Sequence, residues 1–200
     1  MSDVPQSERP ARQPRVGAEC SQRQLRLSLN GRKSIMRWSK LKTTIENHFA
    51  ASVIGRVALH ATRYRQAHDD EGRGWITVDR KEAWNLCTFR YWRALYETKE
   101  KFDTEPDVSA WEAYYLSAAE IEKQGILSLE RFYITLEDYN NLSIKQALDS
   151  KSVLIQALAM LDKRLGKRRL RSLQLVPDAH PMVRYFYTFR LKAEGIDGNS

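Results

Sequence analysis

The chain has only two cysteines, Cys20 and Cys87, and no apolar run long enough to cross a bilayer. A spanning helix needs about 20 consecutive apolar residues, and a secretory leader needs an apolar stretch near its start. Neither pattern occurs, so no membrane association is expected. Two cysteines cannot build a disulfide framework, which points to a reducing, cytoplasmic setting. Other signatures are missing too. There is no Gly-rich phosphate loop, no Gly-x-Ser-x-Gly turn and no Cys or His spacing of a zinc site. His48, His60, His68 and His180 are scattered. These absences count against the common hydrolase and nucleotide-binding classes, and neither a cofactor nor a metal is expected.

What is present suits a globular protein. Hydrophobic residues make up 42% and charged ones 29%, and five Trp, nine Tyr and six Phe supply core material. The net charge is +8 and the pI about 9.5, a balance that favours acidic partners such as nucleic acid. The charge is unevenly placed. Residues 1–35 hold seven basic and three acidic residues, Pro5, Pro10 and Pro14, and no aromatic side chain. Such a stretch cannot offset its ordering entropy by burial and reads as a disordered basic extension. Met36 is a candidate start, with the preceding residues either functionless or a basic arm for nucleic acid. Residues 36–196 read as one domain.

Local patterns predict an α+β fold with one N-terminal helix, a small antiparallel sheet of about three strands, and then a mainly helical bundle. Ser39 caps a first helix through Leu41, Ile45 and Phe49 to about Ala51. Val57–Arg65 alternates as a strand, and Trp75–Val78 is a second. Asp79-Arg80-Lys81 turns into a third strand, Glu82–Phe89, although Asp79 and Glu82 also fit a capping box. Helical spacing follows from Arg90 to before Pro106. Ser109 with Glu112 opens a helix ending at Gly125, Ser128 opens another, and Ser143 with Gln146 starts a short one. Ser152 begins an apolar helix through Leu154, Leu158, Leu161 and Leu165, stopped by Gly166. Pro181 suits the first turn of a last helix, closed by Gly195.

Three segments carry a family likeness. They are Met36-Arg37-Trp38-Ser39-Lys40-Leu41-Lys42, Gly72-Arg73-Gly74-Trp75-Ile76-Thr77-Val78-Asp79, and Leu161-Asp162-Lys163-Arg164-Leu165-Gly166-Lys167-Arg168-Arg169-Leu170. Over about residues 36–195 the chain resembles a family of small uncharacterised bacterial proteins. Many of its members carry Asp-Gly where this chain has Asp79-Arg80, so the resemblance implies a hairpin there. It implies no activity.

Three functional readings stand side by side. Lys163, Arg164, Lys167, Arg168, Arg169 and Arg171 put six cations in nine residues, enough to neutralise several phosphates of a nucleic acid without any catalysis. The same residues can instead complement a helix C-terminus or pair with carboxylates such as Asp162. A second reading is a metal-dependent nuclease-like enzyme using Asp70, Asp79 and Lys81, in which carboxylates hold a divalent ion and Lys81 orients water. A third is a module that binds a protein partner. Tyr185, Phe186, Tyr187 and Phe189 beside Arg184 and Arg190 have the composition of a base-stacking surface, although consecutive helical aromatics must point several ways.

Overall fold

The computed structural model describes residues 36–65, 71–104 and 107–196. The N-terminal extension, residues 1–35, therefore lies outside the described residues, as does Asp70. Helix α1 (Trp38–Glu46) buries Leu41 and Ile45 one turn apart. Strands β1 (Val57–Arg63), β2 (Gly72–Val78) and β3 (Lys81–Cys87) then form an antiparallel sheet in the order β1-β2-β3. Helices follow: α2 (Thr88–Phe102), α3 (Ala110–Lys123), α4 (Leu129–Asn140), α5 (Ile144–Leu148), α6 (Val153–Leu161), α7 (Lys167–Ser172) and α8 (Pro181–Ala193). The α+β expectation holds. Among the described residues no helix is long and apolar enough to cross a membrane.

Alternation along the strands places Val57, Leu59, Ile76, Val78, Trp84 and Leu86 on one buried face. Against it packs α4, whose Phe132 ring sits directly over β2. A Cβ at Gly74 would lie 2.3 Å from the Phe132 ring, so only glycine permits that approach. The outer face of the sheet is polar and aromatic. His60 stacks on Trp75 with centroids 5.0 Å apart and shares a hydrogen bond with Thr77. The free edge of β1 is tied to α1. Glu46 accepts from the Leu59 N–H at 2.8 Å, Lys42 donates to the Leu59 carbonyl at 2.8 Å, and Lys42 and Glu46 pair with each other. That satisfies backbone groups which would otherwise template another strand.

The β2–β3 connection is a two-residue turn. Val78 pairs with Lys81, while Asp79 and Arg80 have φ of 49° and 66°. Two positive φ values in succession are those of a type I′ hairpin, whose twist matches that of the strands. The hairpin, not the helix cap, is therefore correct, even without glycine. Both Asp79 carboxylate oxygens take hydrogen bonds from Arg56 at 2.8 Å, and the Asp79 N–H donates to the Arg56 carbonyl.

Two helices are shorter than their periodicity suggests, for one shared reason. α1 stops at Glu46 instead of Ala51, and α6 stops at Leu161 instead of Leu165. Between them runs a backbone bridge: Phe49 pairs antiparallel with Asp162, Ala50 donates to the Leu161 carbonyl, and Lys163 donates to the His48 carbonyl at 2.7 Å. Both segments must leave helical geometry to make these bonds. The first helix also begins at Trp38, with Arg37 in the capping position and Ser39 inside the helix. The first strand ends at Arg63, not Arg65, and the third ends at Cys87, so that Thr88 and Phe89 open α2 and do not continue the strand. The capping signals stand. Ser109 with Glu112 and Ser143 with Gln146 form complete capping boxes, Ser128 and Ser152 cap α4 and α6, and Pro181 opens α8.

Candidate nucleic-acid interface

The basic run begins where α6 ends. Asp162 turns extended and is fully buried. Its Oδ1 accepts from the Arg164 backbone N–H at 2.7 Å, and its Oδ2 accepts from Arg164 Nε at 2.9 Å, Arg164 Nη2 at 2.6 Å and Tyr139 Oη at 2.5 Å. A carboxylate with no access to water would be costly if left unpaired; here its lone pairs are satisfied. Arg164 also donates to the Leu142 carbonyl at 2.8 Å, so its guanidinium is committed to α6 and the α4–α5 junction. Bonding to Asp162 raises the Arg164 pKa further. Burial, reinforced by Asp162, pushes the Tyr139 phenol well above its ordinary range.

Lys167 is also engaged. Its Nζ lies 2.8 Å from Glu194 Oε2, although its own side chain is 67% exposed. Glu194 is a hub just past α8, accepting also from Ser52 at 2.6 Å and Arg190 Nε at 2.7 Å. Burial opposes its ionisation, but the three donors overcome that and hold its pKa down to about 2. Buried Arg190 completes the knot by donating to the Leu161 carbonyl at 3.0 Å.

The remaining four cations, Lys163, Arg168, Arg169 and Arg171, have exposed side chains, and none has an acidic partner among the described residues. They sit on a rigid base. Leu165 and Leu170 between them are fully buried, and Tyr187 Oη donates to the Leu173 carbonyl at 2.9 Å, pinning the end of α7. The run does not extend the end of α6, as its periodicity suggests. It opens a separate short helix, with Gly166 in the capping position. Lys167 and Arg168 thus occupy a first turn, where the helix dipole disfavours cations, and only Arg169 and Arg171 gain from it. The structure therefore divides the six predicted cations into two buttresses and four outward-facing charges.

Of the nuclease-like set, Asp70 lies outside the described residues. Asp79 is claimed by Arg56, which holds its carboxyl below the usual range, and Lys81 simply starts β3. Among the described residues no group of three His, Cys, Asp or Glu side chains is arranged to hold a metal. The α8 aromatics do not form a common stacking surface. Phe186 is fully buried, Tyr187 anchors α7, and Phe189 lies under Arg56 at 4.6 Å.

Sequence reasoning missed the hub at Glu194 and the exposed aromatics of α2 and α3. The i, i+4 pair Arg190 and Glu194 was a readable sign of the first. The second was signalled by apolar residues all round the α3 segment.

Neither the curated proteins nor the solved structures contain a match to this chain. A family model does match it, over residues 37–191, and the chain belongs to the SF0329 protein family.

Proposed function

We propose that the protein associates with nucleic acid, without catalysis, through Lys163, Arg168, Arg169 and Arg171. The observation that supports this reading is their arrangement: four cations with no carboxylate partner among the described residues, on a turn and short helix that buried contacts hold in place. Cations kept for stability would be expected inside ion pairs, as Arg164 and Lys167 are. Because the backbone beneath them is already fixed, only side-chain freedom is lost when phosphates replace their water and counterions. The reading takes the protein as a bacterial, cytoplasmic one, in keeping with its scarce cysteines.

The test is salt-dependent binding of the full chain to duplex DNA. Four phosphate contacts predict a log–log slope of about −3.6, plus whatever residues 1–35 add. Arg168→Glu with Arg169→Glu should weaken binding and reduce the slope by about 2. Lys40→Glu with Lys151→Glu, exposed cations elsewhere in the chain, changes the net charge by the same amount and serves as the control. Equal weakening by the control, or no binding by wild type at low salt, defeats the proposal.

A further inference from the structure

Helices α2 and α3 form an antiparallel hairpin beside the main core. Tyr91 at the start of α2 lies near Glu122 at the end of α3, and Tyr96 lies near Tyr114. The hairpin's own buried cluster is small, consisting of Tyr91, Leu95 and Ile121. Ala113, Ser117 and Ile121 give α3 one buried face at four-residue spacing. Away from that face α3 also exposes apolar side chains, with Trp111 72% exposed beside half-buried Tyr115 and, on the other flank, Leu116 45% exposed. On α2, Tyr96 is 62% exposed. Rings contact one another along each helix: Trp92 contacts Tyr96 on α2, and Trp111, Tyr114 and Tyr115 contact one another on α3 with centroids 5.5–6.4 Å apart. A helix that is apolar on both sides ordinarily has both sides covered, and exposed Trp and Tyr clustered together are the residues that anchor interfaces.

We propose that this aromatic face is a homodimer surface on which a second copy of the chain docks its own α2–α3 hairpin, antiparallel, about a two-fold axis. The charges favour this occupant. The charges of α2 are polarised, with Arg90 and Arg93 near the sheet and Glu97, Glu100 and Asp103 toward the tip, interrupted by Lys99 and Lys101; Arg93 pairs with Glu97 and Lys99 with Asp103 along the helix, which leaves Arg90 and Glu100 with no such partner among the described residues. Exposed Asp107 lies beyond them in the connection to α3. A two-fold contact must be complementary to itself. Antiparallel docking meets that requirement, because each cationic base then faces the partner's acidic tip across the central rings. Four helices would share one core, where each hairpin's own apolar cluster has only Tyr91, Leu95 and Ile121 buried. The surface uses none of the cations assigned to nucleic acid, so the two proposals stand or fall separately.

Sedimentation velocity of the full chain over a concentration series tests it. Wild type should dimerise reversibly. Trp111→Ala with Tyr96→Ala removes two exposed rings, and the dimer should weaken about 30-fold or more if these are anchors. Arg90→Glu should weaken it about fivefold, as should Glu100→Arg, and combining the two should restore it. These charge changes lie on exposed positions and leave the hairpin core intact. A chain that stays monomeric throughout, or a dimer indifferent to the loss of both rings, overturns the proposal. So does a dimer that the combined charge swap weakens further.

Discussion

Tyr139 donates its phenolic hydrogen to the buried carboxylate of Asp162 at 2.5 Å, while Arg164, two residues along the chain, closes on the same oxygen. This triad turns a basic sequence run into a structural joint. The chain leaves α6, satisfies Asp162 internally, and emerges with its next cations facing water.

Stability should therefore separate along that run. Asp162→Ala strands the Tyr139 hydroxyl and removes the Arg164 partner, and it should cost about 3 kcal/mol or more. Tyr139→Phe, which deletes one hydrogen bond, should cost about 1–2 kcal/mol. Arg168→Ala and Arg169→Ala should stay within about 0.5 kcal/mol of wild type. Urea unfolding of the four variants measures this, and a destabilised Arg168→Ala would mean that the outward cations also serve the fold.

Acid stability should depend on Glu194. Its ordinary carboxyl value is 4.5 and its folded value about 2. A group whose folded pKa is depressed contributes stability that is complete above the unfolded value and is lost as pH falls through the folded one. The affected window runs from about pH 4.5 down to about pH 2. Allowing for screening of the exposed Lys167 partner, the contribution is on the order of 2 kcal/mol. Unfolding free energy measured against pH should fall across this window in wild type, and the Glu194→Gln curve should be flatter there and lower at neutral pH. Parallel curves would rule out this role for Glu194.

Most of the fold could be read locally. The capping boxes at Ser109 and Ser143, the first-turn proline at Pro181 and the alternation in β1 each act within a few residues, so sequence spacing exposes them. The ends of α1 and α6 could not be read that way. Leu165 continues the stripe of α6, and Phe49 continues that of α1. Only the bridge between His48–Ala50 and Leu161–Lys163, segments far apart in sequence, pulls both out of helix. The candidate site was half legible for the same reason. All six cations are visible in the sequence, but Lys167 is sorted from Arg168 by Glu194, which lies just past the end of α8. Arg164 is sorted by the exact point at which α6 stops.

The β2–β3 turn holds a residue that the backbone does not favour. Arg80 at φ 66° carries a Cβ in a left-handed conformation that costs about 1–2 kcal/mol, partly offset on replacement by the greater unfolded freedom of glycine. Arg80→Gly should therefore raise stability by about 0.5–1 kcal/mol. Asp79→Ala should lower it, because the bidentate Arg56 contact is lost and alanine tolerates positive φ less well. Thermal unfolding of the two variants checks both signs, and a destabilised Arg80→Gly would show that the Arg80 side chain contributes more than its backbone strain costs.

The contact of Gly74 with Phe132 makes the sharpest packing test, because it sets the distance between the sheet and α4. A methyl group at Gly74 would meet the ring at 2.3–2.9 Å, with three ring atoms inside normal contact. Phe132 is fully buried and α4 is fixed at its start, where the Leu129 N–H donates to Thr88 Oγ1 at 3.1 Å, so the ring has little room to retreat. Gly74→Ala should cost about 1–3 kcal/mol through overpacking. Phe132→Leu alone should also be destabilising, because it leaves a void against glycine. In the double variant the methyl group occupies part of the space the ring gives up, so the two losses should be less than additive. A double-mutant cycle by urea unfolding measures that coupling. Strict additivity would mean that α4 shifts away from the sheet in each single variant, and that the glycine does not set the spacing between them.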